Sequence, residues 1–210
     1  MTTLYLARHG QTDYNRDGIV QGRGVDLSLN ATGRAQADRL ADRLADLPLD
    51  AIYASELKRA QETAVVVARH HPHLTVHHVG DFDEMAWGVW EGKTREEDDV
   101  EAVFEEAYSR WAAGEYAYRI EGGESILEVQ ARALRGIEGV LARHEGETVL
   151  VVSHGRLLRV LLASALPEYG LDRMAEFRHH NTSLSRLRWD GDRFHADFLN
   201  DVGHLQDDAA

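Results

Sequence analysis

Six consecutive residues, Thr148-Val-Leu-Val-Val-Ser153, make an apolar run that is too short for a helix and shows no alternation of polar and apolar positions. A strand of this kind has to be covered on both faces, as an inner strand of a parallel sheet is when helices lie above and below it. The run stops at His154-Gly155, and a helical pattern over 157–165 follows. The same order occurs twice more. Thr3-Leu-Tyr-Leu-Ala7 ends at Arg8-His9-Gly10. Ala51-Ile-Tyr-Ala54 is followed by Ser55, a candidate cap for a helix from about Glu56 to Ala68 that gathers Leu57, Ala60, Ala64 and Val67 on one face.

From Asn30 to Leu47, the residues Ala37, Leu40, Ala41, Leu44 and Leu47 recur three or four apart, which predicts an amphipathic helix stopped by Pro48. Leu74 to Val79 is a further strand candidate, and Gly80 to Gly92, with its glycines and tryptophans, reads as a loop. An acidic helix is expected over 95–111, where seven carboxylates between Glu96 and Glu106 read as a solvated face. A helix over 126–144 contains Gly136 and Gly139, which lower its propensity. Ser183–Trp189 and Arg193–Leu199 flank Asp190-Gly-Asp192, a hairpin signal, and 204–210 reads as a frayed tail. The expected fold is α/β, a three-layer αβα sandwich with a mostly parallel central sheet and an antiparallel edge. It forms one domain over 1–210, with a helical cap insertion at about 88–122.

The 210 residues suffice to bury a core without covalent staples, and the chain has no cysteine, which excludes disulfides, thiolate catalysis and cysteine-ligated metal centres. A formal charge of -13, from 23 Lys+Arg against 36 Asp+Glu, argues against general affinity for nucleic acid or anionic membrane. An anionic ligand has to be held by local groups, against the field of the whole chain. Met1 to Gly10 has neither the basic leader nor the apolar core of a secretion signal, and Leu157–Leu166, broken by Arg159, is too short for a bilayer. The expected setting is cytoplasmic, with a small-molecule partner and with homo-oligomerisation left open.

In parallel α/β sheets the ligand crevice lies beyond the carboxyl ends of the strands. Arg8-His9, Ser55 with its helix, and His154-Gly155 stand there. Two histidines and an arginine at strand ends can converge on one anion, although each alone is also an ordinary residue in such a place. Arg59 either supplies a second guanidinium or is a surface arginine. Glu84, in the tryptophan-rich loop, is a candidate general acid if apolar rings raise its pKa. The rings between Trp87 and Tyr118 are either core or a cap over the site. The histidine-rich segments 70–73, 77–78 and 179–180 lack metal-ligand spacing, so no metal is expected, and the cluster near residue 70 reads as a solvated turn.

Leu6-Ala-Arg-His-Gly-Gln-Thr-Asp-Tyr-Asn15 resembles the signature of the histidine phosphatase superfamily, which includes the cofactor-dependent phosphoglycerate mutases and many small phosphatases. The resemblance continues in order along nearly the whole chain. It takes in Gln21-Gly22, Thr32-Gly33, Ser55-Glu-Leu-Lys-Arg59-Ala-Gln-Glu-Thr63, Glu84-Met-Ala-Trp-Gly-Val-Trp-Glu-Gly92, Gly122-Gly-Glu-Ser125, Val151-Val-Ser-His-Gly155 and Asn181-Thr-Ser183. It implies a phosphoglycerate mutase-like fold and a metal-independent phosphomonoester hydrolase that works through a phosphohistidine, without a cofactor. Carried over position by position, it implies that His9 is the nucleophile and that Arg8, Arg59 and His154 surround the phosphate. Asn15, Gln21, Gly22 and the amide of Gly155 add hydrogen bonds, and Glu84 is the general acid.

Two other readings remain, a cofactor-dependent mutase and a non-catalytic phospho-ligand binding module. The mutases carry a longer insertion with basic residues after the acid-bearing loop. This chain has Glu91-Gly-Lys-Thr94 and then the acidic helix, which favours the phosphatase branch. A nucleophile together with a separate acid argues against binding alone.

Overall fold

The computed structural model describes residues 1–205. Strand β1 (Thr2–Arg8) leads into the one-turn helix α1 (Asp13–Arg16) and then α2 (Ala31–Leu44). There follow β2 (Ala51–Ala54), α3 (Lys58–Ala68), β3 (Val76–His78), α4 (Asp98–Ala112), α5 (Ile126–Arg143), β4 (Thr148–Ser153), α6 (Gly155–Ala165), β5 (Leu184–Trp189) and β6 (Phe194–Asp201). Short 3-10 turns lie at Gly80–Phe82, Gly88–Trp90, Leu171–Glu176 and Gly203–Leu205.

One six-stranded sheet runs in the order β3-β2-β4-β1-β5-β6. The first four strands of that order are mutually parallel, and β5 and β6 continue as an antiparallel edge. Side chains that alternate along each strand separate into two cores. Tyr5, Ala7, Ile52, Ala54, Leu150 and Val152 meet Leu40 and Leu44 of α2 and Ala60 and Val67 of α3. On the other face, Leu4, Leu6, Tyr53, Val149 and Val151 meet Val129 and Ile137 of α5 and Leu157 and Leu161 of α6. The unbroken apolar run of β4 is thus covered on both sides, and the sandwich has the three expected layers.

Register places the site. Arg8 pairs with Ser153, while Ala7 and Ala54 both pair with Val152. Three parallel strands therefore end side by side, and the residues that follow them, His9, Ser55 and His154, emerge together at the carboxyl edge of the sheet.

Several local expectations need correction. Ser55 does not cap α3: the helix starts at Lys58 behind Leu57, which offers no side-chain acceptor, and the Ser55 hydroxyl is taken up by the site. Asn30 does cap α2, its side chain accepting from the Gly33 amide at 2.8 Å. The expected strand over 74–79 shrinks to three residues. Gly136 is required within α5, because a Cβ there would stand 2.7 Å from the ring of Phe82, which is fully buried. His71 does not lie in a solvated turn but is buried, with Nε2 3.1 Å from the Leu44 carbonyl at the end of α2. Of the tail expected over 204–210, His204 and Leu205 belong to a 3-10 turn, and the rest lies outside the described residues.

Rings between 87 and 118 divide between the two roles left open. Trp87, Phe104 and Trp111 are buried with Val100 and Ala107, so α4 is fastened to the core by one face. Tyr108, 38% exposed, turns to the cavity described below.

Candidate active site

The loop after β1 is immobilised before any ligand arrives. A Cβ at Gly10 would run into the Gly33 carbonyl, and one at Gly33 into the Gln11 backbone, so two glycines let this loop and the start of α2 touch. The Gly10 amide donates to Thr63 Oγ1 at 3.0 Å, and Asn181 Nδ2 donates to the His9 carbonyl at 3.0 Å. His9 itself is 3% exposed. Its Nδ1 lies 2.6 Å from the Gly10 carbonyl, which fixes the proton on Nδ1 and leaves Nε2 with a free lone pair. Burial, followed by the charges of Arg59 and Arg8, holds its pKa well below the usual 6.5.

Arg59 is 1% exposed and is held mostly by carbonyls: Nη1 donates to Val25 O at 2.7 Å and Nη2 to Gly22 O at 3.1 Å. Its Nε donates to His154 Nδ1 at 3.2 Å. Gln21, with its amide turned as its neighbours require, accepts from Arg59 and donates to Thr12 Oγ1 at 2.7 Å. Arg8 Nη1 donates to His179 O at 2.7 Å. Burial lowers both guanidiniums to about 10, against the attraction of Glu84, so both remain cationic near neutrality. Carbonyl partners orient these cations without neutralising them.

His154 stacks at a tilt on His9, with 5.0 Å between centroids. Its Nδ1 accepts from Arg59, and its Nε2 is 2.8 Å from Ser55 Oγ, which in turn donates to Asp83 Oδ1 at 2.8 Å. Burial first, then Arg59, keeps His154 neutral. The positive charge of the site therefore resides on the arginines. Asp83, 4% exposed, also accepts from the Glu56 amide at 2.8 Å and pairs with Arg23 Nε at 3.2 Å.

Glu84 reaches the first turn of α6. Oε1 accepts from the amides of Met85 (2.9 Å) and Leu157 (3.1 Å), and Oε2 from that of Arg156 (3.1 Å). Its loop is clamped by Arg132 of α5, whose guanidinium donates to the carbonyls of Asp81 (3.1 Å), Asp83 (2.6 Å) and Glu84 (3.0 Å) while Glu124 balances its charge.

A cavity of about 350 Å³ opens over these groups. Arg8, His9, Asn15, Gln21, Glu84 and Gly155 line it. Arg59 and His154 stand behind its wall, and Gly22 contributes its carbonyl to Arg59 rather than a surface to the cavity. Asn15 Oδ1 accepts from the Thr12 amide and from Asn181 Nδ2, both at 3.2 Å. All nine residues singled out from the sequence thus belong to one assembly, six on the surface of the cavity and three supporting it. Sequence reasoning missed Asp83 and Arg132, which lock the acid-bearing loop, and Arg95, Tyr108, Arg156 and Arg159, which form the far wall. For Arg156 and Arg159 a signal existed: both fall in the first turns of the helix that follows His154-Gly155.

This geometry, an unprotonated imidazole nitrogen beside unneutralised guanidiniums and a carboxylate at one sheet edge, defines a phosphoryl-transfer site. The family model of the histidine phosphatase superfamily (branch 1) matches residues 4–202, and the chain belongs to that superfamily as a phosphomonoesterase. "Phosphoglycerate mutase-like protein 4" of Arabidopsis thaliana is 33% identical over 207 residues, 97% of this chain and 87% of that protein. "Metal-independent phosphoserine phosphatase" of the same organism is 31% identical over 216 residues, covering 98% and 84%. A solved phosphoserine phosphatase mutant from Entamoeba histolytica, in complex with phosphoserine, superposes with a TM-score of 0.84 at 26% identity, covering 98% of this chain and 100% of that one. No helix among the described residues is long and apolar enough to cross a membrane.

Proposed function

We propose that this protein hydrolyses small phosphomonoesters in the cytoplasm without a metal, through a phosphohistidine on His9. The observation that carries the reading is the His9 tautomer: the Gly10 carbonyl takes the Nδ1 proton and leaves Nε2 as the nucleophile. Nε2 attacks phosphorus as the ester P–O bond breaks, and protonated Glu84 gives its proton to the departing alkoxide. Water then attacks the phosphohistidine and yields a proton to Glu84. The P–N bond breaks, and inorganic phosphate leaves. Arg8, Asn15, Gln21 and the Gly155 amide, which line the cavity, hold the phosphoryl oxygens through both displacements, while Arg59 contributes its charge from behind the wall. His154, neutral, accepts from Arg59 Nε and meets the Ser55 hydroxyl, and so keeps both in place behind the cavity wall.

The guanidiniums supply the positive charge that a divalent cation supplies in other phosphoryl-transfer sites. Residues 88–122 serve as a cap within a single domain, with Tyr108 facing the phosphate site. The name of the Arabidopsis phosphatase and the phosphoserine complex favour hydrolysis of a small phosphorylated metabolite over mutase activity. The test is phosphate release from phosphoserine, phosphoglycerates, sugar phosphates and p-nitrophenyl phosphate in EDTA, with His9→Ala as control. Release that vanishes in the variant supports the reading. Loss of activity in EDTA with rescue by added metal overturns its metal independence, and interconversion of phosphoglycerates that needs a bisphosphate cofactor overturns hydrolysis.

A further inference from the structure

His154 is fully buried, and both of its ring nitrogens are bonded. The partners decide which nitrogen carries the proton. On one side stands Arg59 Nε, 3.2 Å from Nδ1. A guanidinium has no acceptor, so Nδ1 has to offer a lone pair. On the other side stands Ser55 Oγ, 2.8 Å from Nε2 and 2.8 Å from Asp83 Oδ1. Ser55 has a single hydroxyl proton, and the Asp83 carboxylate, which also accepts from the Glu56 amide and pairs with Arg23, can only accept. The Ser55 proton therefore goes to Asp83. Its oxygen accepts from His154 Nε2 and, at 3.1 Å, from the Leu57 amide. Both sides require the same tautomer, with the proton on Nε2. His9, 5.0 Å away between ring centroids, holds the opposite one, with its proton on Nδ1.

These contacts form one chain, Arg23–Asp83–Ser55–His154–Arg59, from a surface cation to a cation behind the cavity wall. Its anion is Asp83. Two neutral groups, Ser55 and His154, stand between that anion and Arg59, so the acid orients Arg59 through hydrogen bonds without pairing with it. Arg59 still feels the charge: burial lowers its pKa, and Asp83 is one of the acids, after Glu84 and Asp26, that oppose the shift. The other partners of Arg59 are oxygens of Gln21, Gly22 and Val25, all on one loop. His154, which follows β4, ties it to the sheet instead, on the edge where His9 emerges.

We propose that Ser55 is a positioning residue of the phosphoryl-transfer site: it holds His154 in the form protonated on Nε2, and through His154 it holds Arg59 where its charge serves the phosphoryl group. Asp83 anchors this relay by taking the Ser55 proton. Neither residue lines the cavity, so neither touches substrate. Without the Ser55 oxygen, a buried N–H has no acceptor, and the ring has to turn or shift to find one, taking the Arg59 contact with it. This inference rests on the phosphatase reading above and adds to it a residue that acts from behind the wall.

The first measurement needs no altered relay. In protein labelled with ¹⁵N at histidine, nitrogen–proton correlations distinguish the two neutral tautomers, and His9→Gln and His154→Asn assign the two rings. At neutral pH, His154 should show a protonated Nε2 and an unprotonated Nδ1, the reverse of His9. A proton on Nδ1 of His154 overturns the relay. In Ser55→Ala, with the thermal midpoint as a check on folding, the Nε2 proton should lose the downfield position that its hydrogen bond gives it. A signal unmoved in the folded variant overturns the role of Ser55.

Binding of inorganic phosphate by calorimetry reads the consequence. Ser55→Ala should weaken it by about fivefold or more, yet add no more than about twofold to the loss in Arg59→Gln, because its effect passes through Arg59. Unchanged binding, or losses that multiply in the double variant, would mean that Ser55 only shapes the start of α3, and overturns the proposal. Turnover of p-nitrophenyl phosphate by the wild type keeps the two hypotheses apart. Expected ring signals with no turnover overturn the phosphatase reading alone, and turnover with the reversed His154 tautomer overturns the relay alone.

Discussion

The two ends of the cavity are both cationic, yet they are made differently. At the inner end, Arg8 and Arg59 are tied to backbone carbonyls, and His9 to the carbonyl of its own neighbour. At the outer end, Arg95 and Arg156 lie against aromatic rings, and no acid of the described residues pairs with them. Carbonyl ties fix direction to a fraction of an ångström, as a reacting phosphoryl group requires. Ring stacking fixes a plane and tolerates sliding. Opposite walls of one volume thus hold their cations by different means.

The largest expected effect falls at the inner end. His9→Ala should reduce turnover by about four orders of magnitude or more and abolish acid-labile protein-bound phosphate in a rapid-quench experiment. Retained protein-bound phosphate would place the nucleophile elsewhere. Glu84→Gln should slow hydrolysis of sugar or hydroxy-acid phosphates by about 10² to 10⁴ and p-nitrophenyl phosphate far less, because nitrophenolate leaves without a proton. Equal losses on both would remove Glu84 from the acid role.

Arg132→Met tests whether the inner end depends on its clamp. It leaves Glu124 and three carbonyls without their cation, and should cost about 3–5 kcal/mol of stability, seen as a drop in thermal midpoint. An unchanged midpoint would show that the acid-bearing loop holds itself.

The smallest effect sharpens the electrostatic contrast. Because the pKa of His9 lies below 6.5 and the nucleophile must be unprotonated, kcat/KM should persist below pH 6.5 and fall only as the pH drops through the lowered value. Arg59→Gln removes a cation that lowers it, so the acid limb should move up in pH. No movement would mean that Arg59 has no part in setting the His9 pKa, which burial and Arg8 would then set.

Much of the inner end was legible in the sequence because each part is local. An apolar run followed by a polar residue and glycine marks a strand delivering a loop, and parallel strands of one sheet must end at one edge. Their order in the sheet was not legible, nor was the side-by-side register that brings His9, Ser55 and His154 together. Ser55 was misread as a cap because local signals favour that role, whereas Asp83 and His154, 28 and 99 positions away, claim its hydroxyl. The outer end was illegible for a related reason. Arg95 read as part of an acidic helix, Tyr108 as a ring of either the core or a cap, and Arg159 as an interruption in an apolar tract, until the packing of α4 beside α6 brings them to one wall.

The contact between Gly10 and Gly33 bears on the entropy of binding. Because that contact already freezes the loop that carries the nucleophile, a phosphate group arriving there orders no backbone, and little conformational freedom is lost at that end. A minimal ligand such as inorganic phosphate should therefore dock almost as well as the phosphoryl part of a full substrate. The remainder of any affinity must come from the alcohol, which makes the leaving group, rather than the phosphate, the part of the ligand on which natural variation in this chain can act.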